Sequence, residues 1–200
     1  MTSERSTESK IVTLTDEELV MESKKNGEMF IHLMRRYEPK LLRYVRRLSG
    51  LDGPDGEDIL QNSFLKTYQH LNDFDQQLKF SSWIYRITRN ETIDYLRKRK
   101  VKTVSLDDDG NDENFKLAET LASDLDVARE VEREILGDKI RRALTKLKEQ
   151  YRTVLVLRYL EEKEYLEIAD IMRLPMGTVA TMISRAKKQL QKVIIEMNIS

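Results

Sequence analysis

Cysteine is absent from the 200 residues, which excludes disulfides and thiolate metal sites. The two histidines, His32 and His70, stand far apart and have no partners at ligand spacing, so no zinc centre is expected. Three prolines and seven glycines leave little punctuation for hairpins or a turn-rich β fold. No apolar run approaches the roughly 20 residues of a membrane span. The opening MTSERSTESK also lacks the apolar core of a signal peptide. The chain is therefore expected to be cytoplasmic, without membrane insertion. No acid, base and nucleophile converge in the pattern, so neither enzymatic chemistry nor a cofactor is expected.

What is abundant is charge, and it is unevenly placed. The whole chain is neutral, with 35 Lys+Arg against 35 Asp+Glu. Residues 1–28 hold 4 basic side chains against 7 acidic, and residues 29–102 hold 15 against 9. Residues 103–128 hold 1 against 8, and residues 129–200 hold 15 against 11. Two basic blocks thus flank an acidic one, and the neutral total says nothing against binding a polyanion. This organisation predicts a short N-terminal extension and helix (1–28), a first helical domain (29–102), an acidic flexible linker (103–128) and a second helical domain (129–200). Within the linker, Asp107, Asp108 and Asp109 lack the spaced ligands and terminal Glu of a calcium loop, so a solvated tether accounts for them.

Helical periodicity runs through both blocks, and the expected fold class is all-α. Thr15 with Glu18 three residues on forms a capping box that predicts a helix ending near Asn26 and Gly27. From Met29 to Leu48, Phe30, Leu33, Met34, Tyr37, Leu41, Tyr44, Val45 and Leu48 share one face, with Pro39 predicting a bend or restart. SGLDGPDGED is a predicted loop. A third helix is expected from about Glu57 to Leu71, burying Leu60, Phe64, Tyr68 and Leu71. Asp58, Gln61 and Leu65 fall on a neighbouring face, either a protein contact or a mere edge of the core.

Residues 79–100 carry the strongest signal. At the helical period Trp83, Ile84, Ile87 and Tyr95 fall in one sector, while Arg86, Arg89, Arg97 and Lys100 run down the other side. One sector packs and the other can face phosphate. Ser81 or Ser82 is the expected cap. In the last block, Val131 to Leu147 and YRTVLVLRYL predict two helices. EYLEIADIM is a short helix, RLPMG a tight turn, and Thr178 opens a helix with Val179, Ile183, Ala186, Leu190 and Val193 inward. Its outer face shows Thr181, Ser184, Arg185, Lys187 and Lys188. This is the pattern of a helix-turn-helix.

EDILQNSFLKTYQHLNDF, then FSSWIYRITRNETIDYLRKRK, then LKEQYRTVLVLRYLEEKEYLEIADIMRLPMGTV with SRAKKQL, in this order, resemble the extracytoplasmic-function (ECF) group of bacterial RNA polymerase sigma factors over nearly the whole chain. The resemblance implies two small helical domains joined by an acidic linker, with core RNA polymerase, promoter DNA and an anti-sigma factor as partners. It implies that Asp58, Gln61 and Leu65 dock on the polymerase. It also implies that Phe74, Asp75, Ser82, Trp83, Arg86, Arg89, Asn90 and Arg97 melt and hold the single-stranded −10 element, with a flipped base stacked on Phe74 and read by Asn90. Thr178, Thr181, Ser184, Arg185 and Lys188 would contact the duplex −35 element, and the linker would occupy the RNA-exit path. Two positions depart from the family pattern. Ala180, Thr181 and Met182 follow Gly-Thr-Val where Lys or Arg, Ser and Arg are common, and Arg173 stands where a helix-ending Gly is frequent.

Two readings from other classes compete. One is a helix-turn-helix regulator that binds duplex DNA without polymerase. The other is an adaptor that binds only protein, which leaves Trp83, Asn90 and the arginine row unexplained.

Overall fold

The computed structural model describes residues 13–51, 53–104, 137 and 139–197. The acidic segment from 105 onward, with its Asp107 to Asp109 run, lies outside the described residues, as do Val131 and Ile135 of the helix expected to follow it. The described residues fold as helices: α1 (Asp16–Lys25), α2 (Phe30–Ser49), α3 (Pro54–Gln69), α4 (Phe80–Val104), α5 (139–145), α6 (Glu149–Leu155), α7 (Tyr165–Met172) and α8 (Met176–Glu196). None of them is long and apolar enough to cross a membrane.

α1 starts where the capping box predicts. The Thr15 amide donates to Glu18 Oε2 at 2.7 Å, and the Glu18 amide donates to Thr15 Oγ1 at 3.2 Å. α2 runs unbroken through Pro39, contrary to the expected bend. Pro39 is solvent-exposed, so the carbonyl it leaves without a partner lies on the wet side of the helix, where water can satisfy it. α2 stops at Gly50, whose φ of 73° is left-handed and whose amide donates to the Arg46 carbonyl at 2.9 Å.

The expected loop through SGLDGPDGED is shorter than predicted. Pro54 opens α3, in a position where its missing N–H costs nothing. Tyr68, expected inside, is 47% exposed, because α3 ends at Gln69 and the chain turns inward only at Leu71. α8 begins at Met176, two residues before the predicted Thr178. The short helix α6 passes into a π-helical turn, Val156–Leu160, in place of a regular helix.

One apolar core spans both halves. Leu33, Leu41, Tyr44, Phe80 and Ile84 from the first half and Val154, Leu157, Ile168, Ile171 and Val179 from the second all belong to it. α4 packs on α2 and α3 on one side and against α7 on the other.

Candidate nucleic-acid and polymerase interfaces

α4 is built so that its inner face holds it still. Ile84 is fully buried, and Thr88 and Thr92, also fully buried, satisfy their hydroxyls on the carbonyls of Ile84 and Thr88 at 2.9 and 2.8 Å. Of the residues expected at the −10 strand, Asn90 and Arg97 are exposed on the other face, and Arg86 and Arg89 are half-buried. Asp75 is exposed on the loop that leads into α4.

Phe74, Ser82 and Trp83 are not on that surface. Phe74 is 3% exposed, and its ring lies 5.6 Å from that of Phe80 and 5.2 Å from that of Trp83. An aromatic enclosed in this way has no free face for a base, so the expectation that Phe74 stacks on one is corrected. Its burial instead plugs the loop into the core. Ser82 is 3% exposed and does not cap α4; its hydroxyl has no hydrogen-bond partner among the described residues. The first-turn amide of Phe80 is capped by a carboxylate from far away, donating to Glu17 Oε1 at 3.0 Å.

The arginine row is not bare. Arg89 and Arg97 both approach Glu149 of α6, each at 3.5 Å. Arg86 lies near Asp170 of α7 and near Arg173, which follows that helix, and burial, reinforced by Arg173, lowers its pKa. Beside this row Glu161, which follows the π-helical turn, has a side chain only 2% exposed. It accepts from Arg47 Nη1 at 2.8 Å and from the Tyr85 hydroxyl at 2.9 Å. Arg47 also donates to the Leu160 carbonyl, and the Lys163 ammonium sits 4.4 Å from the centroid of the Tyr85 ring. Burial, with Glu161 nearby, holds the Tyr85 hydroxyl far above the usual phenol range, and burial holds the Tyr44 hydroxyl above it as well.

Sequence reasoning missed Glu149, Glu161 and Tyr85. The two carboxylates stand in charge-rich stretches that look like any solvated face, and no periodicity separates them from Glu162 or Glu164.

On α3, Asp58, Gln61 and Leu65 are all exposed, with Leu65 at 54%. Leu65 thus stands at the surface, open to a partner. In the second half, α7 and α8 form the expected helix-turn-helix. The turn begins at Arg173, which takes the left-handed conformation, φ 53°, that glycine adopts without strain. Val179, Ile183 and Ala186 face the core, while Thr178, Thr181, Ser184, Arg185 and Lys188 are exposed. Thr178, Thr181 and Arg185 line a concave surface with Gln150, Tyr151 and Gly177. The Thr181 hydroxyl donates back to the Gly177 carbonyl at 3.0 Å. Lys187 is turned away, its ammonium 4.9 Å from the centroid of the Tyr159 ring. Ala180 is exposed, whereas Met182 is half-buried, packing on the core while also lining that concave surface.

Residues 33–101 match the Sigma-70 region 2 family, and residues 137–190 match Sigma-70 region 4. The ECF RNA polymerase sigma factor SigW of Bacillus subtilis is 31% identical over 87% of this chain and 93% of its own length. The chain belongs to the ECF sigma factors. The ECF sigma-E factor of Escherichia coli K12 is 31% identical over 90% of this chain and 95% of its own. Among solved structures, CnrH in complex with the cytosolic domain of CnrY shares the fold, with a TM-score of 0.64 at 22% identity over 90% of this chain and 97% of that one. As an ECF sigma factor, the protein directs transcription initiation.

Proposed function

We propose that this sigma factor divides initiation among four surfaces. The exposed face of α3, Asp58, Gln61 and Leu65, docks on core RNA polymerase. The outer side of α4, with Arg86, Arg89, Asn90 and Arg97, holds the non-template strand of the −10 element. The exposed loop from Asp75 to Lys79 meets the extruded base. Thr178, Ser184, Arg185 and Lys188 contact the −35 duplex, with Thr181 beside them. Phe74, Ser82 and Trp83 serve as the floor that fixes the loop and do not touch DNA. The domains are 29–102 and 129–200, tethered by the acidic segment between them.

The observation that carries this reading is the single side of α4 that bears three arginines and Asn90, on the helix into which an exposed loop leads. Flipping a base out of the duplex costs a few kcal/mol. Cationic contacts to the strand and hydrogen bonds from Asn90 to a base edge offset that cost without ATP. No side chain acts as a catalyst; bond formation belongs to the polymerase. Because Arg89 and Arg97 rest on Glu149 in this arrangement, strand binding exchanges that carboxylate for phosphate, and the two halves separate as it does.

The protein acts in the cytoplasm, and an anti-sigma factor that covers these surfaces holds it inactive. One solved structure of this fold is RpoE in complex with the anti-sigma factor NepR from Bartonella quintana. The test is transcription from genomic DNA by core RNA polymerase with and without this protein. Specific new start sites are expected only with it. Tight, sequence-specific duplex binding by the free protein at physiological salt would favour a regulator acting without polymerase.

A further inference from the structure

α1 lies outside the residues that match the region 2 family, 33–101, yet it grips both ends of the loop that precedes α4. Its base is firm. Leu19 and Val20 are fully buried, and Asp16 pairs with Arg36 at 2.6 Å and accepts from the Tyr37 hydroxyl. Arg36 also donates to the Leu14 carbonyl at 3.0 Å. From this base Glu17 and Lys24, seven residues apart and so on one helix face, reach in the same direction. Glu17 Oε1 accepts the Phe80 amide at 3.0 Å, at the point where the loop becomes α4. Lys24 Nζ points at the carbonyls of Asn72 and Phe74, at 3.4 and 3.5 Å, where the loop begins.

Between those grips the loop is internally set. Asp75 Oδ1 accepts the Gln77 amide at 2.9 Å, and the Leu78 amide donates to the Asp75 carbonyl at 3.0 Å. Residues 75–79 all point to solvent, while Phe74 is sunk in the core. The loop is thus a preformed turn whose aim is fixed by its attachments, and two of those attachments come from α1. Glu17 does double service, because a carboxylate at the first turn of α4 also complements the helix dipole.

We propose that α1 is a brace for promoter reading, with Glu17 and Lys24 as positioning residues that hold residues 75–79 in one orientation toward the displaced −10 strand. The inference rests on the reading of that loop given above. Loss of either grip leaves the core and the polymerase-docking face intact but blurs the aim, so discrimination between −10 sequences falls while polymerase binding does not.

The experiment uses the full chain with core RNA polymerase and a promoter found by start-site mapping, paired with a copy carrying one substitution in its −10 element. Permanganate reactivity of −10 thymines measures opening of each. For Glu17→Ala and Lys24→Met, which remove the acceptor of the Phe80 amide and the ammonium, the ratio between matched and altered promoter is expected to drop by roughly 5–10-fold, in line with the sensitivity of aligned contacts to small misplacement. Lys24→Arg should restore the ratio, with polymerase affinity and melting temperature unchanged throughout. An unchanged ratio in Glu17→Ala and Lys24→Met, with Asp75→Ala and Gln77→Ala still lowering it, overturns the brace alone. An unchanged ratio in all four overturns the reading of the loop. Equal loss on both promoters together with a lowered melting temperature also overturns the brace, because it marks a role in folding only.

Discussion

Glu161→Ala is the perturbation that most directly probes how the two halves are held. The carboxylate is 2% exposed and lies 2.8 Å from Arg47 Nη1. At that distance the gross attraction is about 6 kcal/mol with an effective dielectric of about 20. Desolvation of both ions cancels much of it, which is why such pairs are poor evidence of net stability. Truncation behaves differently, since it strands the partners. Arg47 keeps 27% of its side chain in water and recovers some hydration. The Tyr85 hydroxyl, buried and bonded to Glu161 Oε2 at 2.9 Å, loses its acceptor, at about 1–3 kcal/mol. The combined cost is about 3 kcal/mol, at the low end for a broken buried pair. That amounts to a shift of about 100-fold in the equilibrium between docked and undocked halves.

Amide hydrogen exchange along α4 and α7, which pack on each other, measures this directly, because undocking exposes both. Protection there should fall about 100-fold in Glu161→Ala. In Glu161→Gln, which keeps an acceptor for Tyr85 and loses only the charge, it should fall about tenfold. Glu38→Ala, at an exposed position on α2, should behave as wild type. If Glu161→Ala and Glu38→Ala exchange alike, the buried carboxylate does not hold the halves together and the energetic reasoning fails.

Arg173→Gly should raise the stability of the helix-turn-helix half by about 1 kcal/mol, because φ 53° is free to glycine and strained for arginine; an unchanged or lowered denaturation midpoint would refute it. Tyr37, Tyr44 and Tyr85 all have hydroxyl pKa values raised chiefly by burial, so the folded protein keeps them neutral while the unfolded chain ionises them near pH 10. Their contribution is fully present below pH 10 and is lost above it, at up to about 1.4 kcal/mol per pH unit for each. Absorbance at 295 nm should show these three ionising together with unfolding, and ionisation in the folded state at pH 10 would contradict the burial argument. Leu65→Glu should abolish binding to core polymerase yet shift stability by less than about 0.5 kcal/mol, because the side chain is already 54% exposed; a large drop in melting temperature would mean that Leu65 packs. Ala180→Arg should raise affinity of the protein for −35 duplex and steepen its salt dependence, since Ala180 is exposed on α8. No change in either would remove this position from the DNA face.

How far the sequence reveals this molecule depends on whether a residue acts within its own helix or across helices. The capping box at Thr15, the inner face of α2 and the stripe Val179, Ile183 and Ala186 follow from spacing alone, because each is local and periodic. Pro39 misleads for the same reason: propensity counts the lost hydrogen bond but not that it faces water. Phe74 misleads in the opposite sense. A family motif places it near a flipped base, yet nothing local tells whether an aromatic's ring points at the ligand or plugs the loop that meets it; the packing of Phe74 on Phe80 and Trp83 decides that. Glu17, Glu149 and Glu161 are hardest of all. Each is one carboxylate among many on a solvated-looking stretch, and each matters through a partner more than 50 residues away in sequence.

Two of the carboxylates that bridge the halves, Glu161 and Glu149, differ in a way that fits the proposed opening on the promoter. Arg47 and Glu161 lie at 2.8 Å with Glu161 sealed from water, within the range of a strong charge-assisted bond. Glu149 holds Arg89 and Arg97 at 3.5 Å each, and Arg97 is 68% exposed. The Arg97 pair, that long and that wet, contributes little and is screened by salt, while the Arg89 pair is as long but more enclosed, with Arg89 15% exposed. Arg89 and Arg97 are eight residues apart on α4, about 12 Å along its axis, and one carboxylate cannot serve both well. A strand with a phosphate for each arginine would serve both at full bond length, so on the proposed reading the exchange of Glu149 for DNA runs downhill at this side of α4. The Arg47, Tyr85 and Glu161 cluster carries no such weakness, and its opening sets the main resistance to separation of the halves. The side of α4 proposed to meet DNA is therefore held by longer pairs than the clasp beside it.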